Sequence, residues 1–310
     1  MLELLSTRHN PMVDPSLAVW AWQIPVYLFL GGWVGGGMVL SGWLIRRRSG
    51  PGLRGVTRAL PWIGLVLISA GMLALFLDLE HKLYVWRIYT AFEPSSPMSW
   101  GAWILLAVYP VLVLTGMAGL PEGLAGAWAP LAALAAKLRE GRAVQLLGVA
   151  NIALGIGLGI YTGILLSSLG ARPLWASAAL GPLFLASGLS TAAAFSHMIA
   201  RDGDEQLMLM RADNVFLVTE LALIGVFLAS LATSGAAAEQ AAALLLGGPY
   251  TAVFWVLVVA LGMLLPLAIQ SLRSAGGIVH TPVAPLLVMA GGLALRFVIV
   301  AAGQASFWPS

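Results

Sequence analysis

Eight stretches of mostly apolar residues run through the chain, and they limit its fold more than any other feature. An α-helix crosses a bilayer with about 20 apolar residues, because it rises about 1.5 Å per residue. The sequence therefore predicts an all-α integral membrane protein with eight transmembrane helices, named spans 1 to 8. Two four-helix bundles, spans 1–4 and 5–8, are the expected arrangement. The predicted spans are residues 19–45, 59–79, 100–120, 145–169, 174–200, 213–233, 250–272 and 281–304.

Composition supports a membrane location. Charged residues make up 9% of the chain and hydrophobic residues 60%, whereas soluble domains carry roughly 25% charged residues. So few charged residues cannot give the protein a surface that is soluble in water. We therefore expect membrane lipid to surround most of it. The net charge is only +3, and the basic residues lie between the apolar stretches, so we expect no nucleic-acid partner. The chain has no cysteine, which excludes thiolate ligands for an iron–sulfur cluster within it.

The distribution of Lys and Arg predicts the orientation. The loops at one end of the spans hold eleven of these residues and the loops at the other end hold four, while Arg296 lies within span 8. Positively charged loops stay in the cytoplasm, so both termini should be periplasmic, in the inner membrane of a Gram-negative bacterium. Residues 1–18 then form an N-terminal tail, which lacks the basic-then-apolar order of a signal peptide. Residues 19–304 form the membrane domain, and residues 305–310 form a C-terminal tail.

Short segments between the spans complete the predicted organisation. Clusters of Gly, Pro and charged residues, such as GARP at 170–173 and RDGDE at 201–205, mark the breaks. The Ala- and Leu-rich segment 125–140 is too short to span and is predicted to be a helix near the membrane surface. Glycines at four-residue spacing predict close helix packing. They are Gly31 with Gly35, Gly32 with Gly36, and Gly155 with Gly159 and Gly163.

A set of polar and aromatic residues falls in the outer half of the spans. Ionisable groups in a membrane are costly and are functional by default. Residues from several helices at one depth are what a site for a polar headgroup near the outer surface requires. The set includes Trp20, Gln23, Asp78, Ser99, Trp100, Tyr161 and Arg296. Three alternatives stay open: Gln23 caps a helix, Tyr161 belongs to the aromatic belt at the interface, and Asp78 forms a structural ion pair with Arg296.

Two further polar residues lie deeper. Asn151 falls in span 4, and Glu220 in span 6, about two turns from its predicted cytoplasmic end. A buried carboxylate is either protonated or paired, so Asp78, Asn151, Glu220 and Arg296 are a candidate proton path. The alternative is simple hydrogen bonding between helices. A transporter that uses Asp78, Glu220 and Arg296, or a purely structural anchor, are the competing function classes.

The histidines argue against a haem in this protein. A membrane haem needs two imidazoles that face each other at matching depth. His197 and His280 lie near the cytoplasmic ends of spans 5 and 8, while His9 lies in the tail and His81 at the outer end of span 2. His197 with His280 is the one conceivable pair, but no predicted span has a histidine at its middle, so we expect no haem. Without cysteine we expect no iron–sulfur cluster in this chain either.

The order of seven motifs resembles the NrfD/PsrC family, the membrane subunits of polysulfide-reductase-like complexes. The resemblance extends from about residue 20 to residue 304. The motifs are WQIPVYLFLGGWVGGG at 22–37, LDLEHKLYVWRIY at 77–89, SPMSWGAW at 96–103, YTGILL at 161–166, ARPLW at 171–175, GPLFLASG at 181–188 and ALRFVIVAAGQ at 294–304.

This resemblance implies a subunit that reacts with menaquinone or ubiquinone and has no redox cofactor of its own. Such subunits dock a ferredoxin-like iron–sulfur subunit, which is attached to a catalytic subunit, usually of the molybdopterin type. The terminal substrate, the direction of electron flow and proton pumping stay open.

The resemblance also assigns roles to residues near the outer face. Tyr161 would hydrogen-bond a quinone oxygen, and the start of span 1 would line the pocket. We therefore expect Trp20 and Trp100 to flank the ring, with Gln23 and Ser99 also in the binding site. Asp78 is the first candidate for the base that accepts protons, and Arg296 would set the electrostatics. Some relatives have a histidine near the start of span 1, where this protein has Gln23.

Overall fold

The computed structural model describes most of the chain and is helical throughout. The ranges described are residues 20–47, 53, 55–90, 93–121, 123, 129–169, 172–274 and 281–306. No β-strand occurs within these ranges, so the predicted all-α class is confirmed. The N-terminal tail, His9 and His280 lie outside the described residues.

Eight helices in the described ranges are long and apolar enough to cross a membrane, as predicted. Only the start of span 6 differs from its predicted position by more than six residues. Spans 1 to 8 are Gln23–Arg47, Val56–Asp78, Pro97–Ala118, Gly141–Ser167, Leu180–Ile199, Gly203–Thr233, Val253–Arg273 and Val283–Ala305. Span 7 begins with π-helical turns over Val253–Leu264.

Span 6 begins ten residues earlier than predicted because its charged first turn is a helix start. The Asp202 carboxylate accepts a hydrogen bond from the Glu205 backbone N–H at 3.3 Å, which is a typical N-cap. Asp204 and Glu205 occupy the first turn, where negative charge is favoured by the helix dipole. Glu220 therefore lies about 25 Å from the start of this 31-residue helix, and its predicted depth near the cytoplasmic end is wrong.

Short helices occupy three of the connections. Ala129–Arg139 lies within the predicted surface helix, and only Ala135 of it is buried. A 3₁₀ turn at Lys82–Tyr84 and the single turn Arg87–Thr90 form the loop after span 2. The helix Ala236–Leu246 between spans 6 and 7 was not predicted.

Span 1 lies at the centre of the packing. It contacts spans 2, 4, 5 and 8, while span 3 packs on spans 2 and 4, and spans 6 and 7 pack on their neighbours in the second half. Span 1 thus joins the two predicted groups of helices. The grouping into two four-helix bundles stays a prediction.

Glycines allow span 1 to approach its neighbours at backbone distance. A Cβ atom on Gly35 would lie 2.7 Å from the Gly155 carbonyl oxygen of span 4, and one on Gly36 would overlap the Gly188 carbonyl of span 5. Both contacts are backbone atoms, which cannot rotate away. The close packing predicted from the glycine spacing is therefore present.

We expect Gly36→Ala to destabilise the protein strongly, because the added methyl group forces spans 1 and 5 apart. Overpacking of this kind costs about 1–3 kcal/mol or more. Gly37→Ala is the matched control, since a Cβ at Gly37 meets nothing within 4 Å. Thermal unfolding in detergent measures both. Equal midpoints for the two variants would contradict the proposed packing.

Candidate functional site

A cleft opens at the end of the membrane domain where spans 1 and 3 begin and spans 2 and 4 end. This is the predicted periplasmic end. The cleft contains about 590 Å³ of empty space, including its mouth. Its walls come from spans 1 to 4 and from the loop after span 2. They are Tyr27, Met72, Leu75, Phe76, Leu79, Val85, Ile88, Tyr89, Met98, Gly101, Ala102, Leu105, Tyr161 and Leu165.

Three phenols are the polar side chains of this otherwise apolar lining. Tyr161 and Tyr27 are both buried, and a hydrogen bond joins their two hydroxyl groups. The hydroxyl that accepts this bond keeps its own O–H as a donor to a molecule in the cleft. The role of Tyr161 in orienting a ligand stays a prediction.

Gly101 makes the position of the Tyr161 ring possible. A Cβ atom at Gly101 would overlap the Tyr161 phenol. Span 3 thus presents bare backbone to the ring, which lies against the helix in the wall of the cleft. Sequence reasoning missed Gly101, because nothing in SPMSWGAW shows which residue faces span 4.

The loop after span 2 covers the cleft and supplies the third phenol. Val85, Ile88 and Tyr89 line the cleft from this loop. Burial raises the pKa of the Tyr89 phenol, and Tyr109 adds a smaller effect in the same direction. Tyr89 therefore stays protonated, and a hydrogen-bond donor, near neutral pH. Tyr27 and Tyr89 were absent from the predicted site although both lie in the motifs that suggested it.

Two predicted site residues at the start of span 1 have other contacts. The Trp20 ring stacks on Trp175 at 5.3 Å between centroids, and its backbone N–H and carbonyl both bond to the Gln304 side chain at 2.9 Å. Trp20 thus ties span 1 to span 8 and is not part of the cleft lining. The Gln23 amide oxygen is buried and has no hydrogen-bond partner among the residues that the structure describes, and Gln23 lies one helical turn from Tyr27.

Ser99 and Trp100 hold the start of span 3. The Ser99 hydroxyl accepts a hydrogen bond from the Glu93 backbone N–H at 3.1 Å, and the Trp100 indole donates to the Pro94 carbonyl at 2.7 Å. Trp100 faces outward with 45% of its surface exposed. Neither residue lines the cleft, although both fix the loop that leads into span 3.

Asp78 and Arg296, the candidate ion pair, lie apart. Asp78 is the last residue of span 2 and precedes Leu79 of the cleft lining. Its carboxylate forms no ion pair within the described part of the chain, and the contacts of Arg296 are all elsewhere. The hypothesis of an Asp78–Arg296 pair is therefore wrong, while Asp78 stays beside the cleft.

Arg296 is fully buried between spans 1, 5 and 8. Its guanidinium donates to the Ser187 hydroxyl and to the carbonyls of Gly292 at 3.1 Å and Phe184 at 3.0 Å. It also lies 4.7 Å above the Phe184 ring. Ser187 in turn donates to the Glu220 carboxylate, which is close enough to attract Arg296. Glu220 and Arg296 are thus partners through Ser187.

A second buried carboxylate, Asp213, lies on the same helix as Glu220. Its two oxygens accept hydrogen bonds from Ser190 at 3.0 Å and from the Gln270 amide at 2.7 Å. The His197 Nε2 atom lies 3.8 Å away. Sequence reasoning missed Asp213 because the span was predicted to begin at this residue, which placed the carboxylate at the membrane surface.

Asn151, the remaining member of the predicted proton path, lies in the first half of the molecule. Its amide donates to the Thr115 hydroxyl at 2.7 Å and to the Leu147 carbonyl at 2.8 Å. Asn151 and Ser41 line a separate crevice between spans 1 to 4. Among the described residues, no contact connects Asn151 with Glu220 or Arg296, so the four predicted path residues do not form one continuous path.

The family follows from comparison with known proteins. The family model described as "Polysulphide reductase, NrfD" matches residues 9–307. The chain belongs to the NrfD family. This confirms the resemblance suggested by the seven motifs.

Individual relatives agree over nearly their whole length. The C chain of polysulfide reductase from Wolinella succinogenes is 33% identical over 310 residues, which cover 93% of this protein and 95% of the relative. Protein NrfD of Escherichia coli (strain K12) is 29% identical, with 92% and 95% coverage. The NrfD homolog of Haemophilus influenzae is 30% identical, with 95% and 97% coverage. The name of the Wolinella relative places that protein in a complex of several subunits.

A double-mutant cycle tests the Glu220–Arg296 partnership in this NrfD-family protein. We expect Glu220→Gln to leave a buried uncompensated guanidinium, at a cost of about 3–5 kcal/mol. Adding Arg296→Met should cost less than the sum of the single changes, because paired residues are not additive. Thermal unfolding in detergent measures the cycle.

Asp204→Asn is the matched control for this cycle, since Asp204 is exposed on the same helix. Combined with Arg296→Met it should give additive losses. Additive losses for the Glu220 pair as well would show that the two side chains are independent.

Proposed function

We propose that this protein is the quinone-reactive membrane subunit of a respiratory oxidoreductase complex. It exchanges electrons between menaquinone or ubiquinone in the bilayer and a docked iron–sulfur subunit. The observation that carries this proposal is the apolar cleft beside the Tyr27–Tyr161 pair. Membership of the NrfD family supports the same assignment.

The chemistry of the cleft suits a quinone headgroup. A quinone ring is flat and apolar and has two carbonyl oxygens, which need hydrogen-bond donors. The cleft supplies an apolar lining, one O–H of the Tyr27–Tyr161 pair and the Tyr89 phenol. Tyr161 would orient one carbonyl, and Gly101 leaves the space that the Tyr161 ring occupies.

Oxidation of a quinol releases two electrons and two protons, and the protons need an acceptor. Asp78 is the candidate base, because it ends span 2 beside the cleft and is partly exposed. A carboxylate in that position can pass a proton to water at the same face. The electrons leave through the same end of the molecule, so no redox group is needed within the membrane domain.

The loop after span 2 is suited to a partner subunit. Leu83, Tyr84 and Trp86 are exposed on it, and the Arg87 guanidinium lies 4.6 Å from the Tyr84 ring centroid. Apolar, aromatic and Arg side chains of this kind favour protein contacts. A ferredoxin-like iron–sulfur subunit docked here, itself bound to a molybdopterin-type catalytic subunit, would lie directly over the cleft. On this proposal the loop is at the periplasmic face of the inner membrane.

The buried polar groups of spans 5 to 8 favour proton translocation as an accompanying function. Glu220 and Arg296 form one group through Ser187, whereas Asp78 lies apart from them. A transporter that uses all three as one pathway is therefore less well supported than a quinone subunit that also moves protons. A structural anchor would need none of these ionisable groups.

We expect Tyr161→Phe to lower quinol oxidation by the purified complex about tenfold, which equals the loss of one hydrogen bond of about 1.4 kcal/mol. Assembly should be unchanged, because the ring still fills its place. Tyr250→Phe is the matched control, since Tyr250 lies in the second half and bonds to the Ala301 carbonyl. Full turnover in assembled Tyr161→Phe complex would remove Tyr161 from the site.

We expect Gly101→Ala to weaken binding of a quinone-analogue inhibitor, because the new methyl group displaces the Tyr161 ring. Gly157→Ala is the control, since a Cβ at Gly157 has only one contact, at 3.9 Å. Titration of the inhibitor against turnover of the complex measures both. Equal inhibition constants for the two variants would show that the inhibitor binds elsewhere.

A further inference from the structure

Two buried carboxylates lie on one face of span 6. Asp213 and Glu220 are seven residues apart, which places them on the same side of the helix about 10 Å apart along its axis. Each accepts a hydrogen bond from a serine of span 5, Asp213 from Ser190 and Glu220 from Ser187. At most 2% of either carboxylate residue is exposed.

A third buried hydroxyl, that of Thr191, lies on span 5 beside these two serines. Thr191 follows Ser190 in span 5 and is one turn from Ser187, so the three hydroxyls share one region of the helix surface. The Thr191 hydroxyl oxygen is buried and forms no hydrogen bond with any residue that the structure describes. A buried hydroxyl without a partner is costly, so its presence here needs an explanation.

Gly292 of span 8 leaves the space in which this hydroxyl can turn. A Cβ atom on Gly292 would lie 2.8 Å from the Thr191 hydroxyl oxygen and 3.5 Å from that of Ser187. The Gly292 carbonyl also accepts the hydrogen bond from Arg296. The glycine therefore lies against Thr191 and against the Ser187–Arg296 part of the Glu220 group.

We propose that a proton passes between Asp213 and Glu220 through the hydroxyls of Ser190, Thr191 and Ser187, and that Gly292 leaves the Thr191 hydroxyl free to rotate. Each hydroxyl accepts a proton on one side and gives up its own on the other, so no net bond is made. His197, 3.8 Å from Asp213 near the inner end of span 5, supplies the proton from that side. The Glu220–Ser187–Arg296 group receives it.

This relay deepens the proton translocation included in the proposed function, and it rests on that function. Quinol oxidation at the cleft releases protons at the outer face whether or not the relay works. Proton uptake at the opposite face, where span 6 begins, isolates the relay. The two activities can therefore be measured separately in one preparation.

The test uses the whole complex in liposomes, with quinol as the electron donor and a pH dye on the side where span 6 begins. We expect Gly292→Ala and Thr191→Val to lower proton uptake per electron at least fivefold. Quinol oxidation with a protonophore present should change less than twofold. Thr191→Ser should restore uptake, because it keeps the hydroxyl.

Two matched controls use the same substitutions elsewhere. A Cβ at Gly225 meets nothing within 4 Å, and the exposed Thr219 bonds only to its own helix. Gly225→Ala and Thr219→Val should therefore retain uptake.

Each outcome has a distinct meaning. Unchanged uptake in folded Gly292→Ala and Thr191→Val would overturn the relay, as would absence of uptake in the unaltered complex while quinol is oxidised. Failure of the unaltered, assembled complex to oxidise or reduce any quinone would instead overturn the quinone function.

Discussion

The close approach of span 1 to spans 4 and 5 is the contact on which the rest of the structure depends. Helices in lipid gain no hydrophobic energy by meeting each other, so they rely on backbone-to-backbone packing at small residues. Gly35 and Gly36 provide this packing on two sides of span 1. The same helix then places Tyr27 in the cleft wall and Gly32 against the Arg296 guanidinium, where a Cβ would lie 3.1 Å from Nη2.

The contacts around Arg296 explain how this membrane domain holds an arginine in its interior. A charge in a low-dielectric region is tolerated only when it is paired and its hydrogen-bonding groups are satisfied. Arg296 has a hydroxyl, two carbonyls, an aromatic face and the Glu220 carboxylate around it, and among the described residues only its Nε has no hydrogen-bond partner. An apolar side chain would fill the same space at lower cost, and the proposed proton translocation gives a reason for the arginine.

The sequence was sufficient to predict the spans and the family, and insufficient to predict which side chains meet. Length and hydropathy determine where a helix crosses the membrane, so seven spans lie close to their predicted bounds. RDGDE was misinterpreted because a charged N-cap and a charged loop have the same composition. Tyr161 was found from its motif, but Gly101 was not, because hydropathy alone does not tell which side of a membrane helix faces its neighbour. Asp78 and Arg296 share a predicted depth but form no contact, because residues at one depth in the membrane can lie on helices that are not neighbours.

The separation of the cleft from the buried polar groups limits how quinone chemistry and proton movement can be linked. The cleft proposed for electron transfer is lined by spans 1 to 4 and the loop after span 2, whereas Asp213, Glu220 and Arg296 lie in spans 6 and 8. The structure shows no hydrogen-bonded path from Tyr161 to Arg296 among the residues it describes. Span 1 contacts both Tyr161, through Tyr27, and Arg296, through Gly32. Tyr27 and Gly32 lie little more than one turn apart on this single helix. Any coupling of the two proposed activities therefore has to act through the position of this helix rather than through a continuous proton wire.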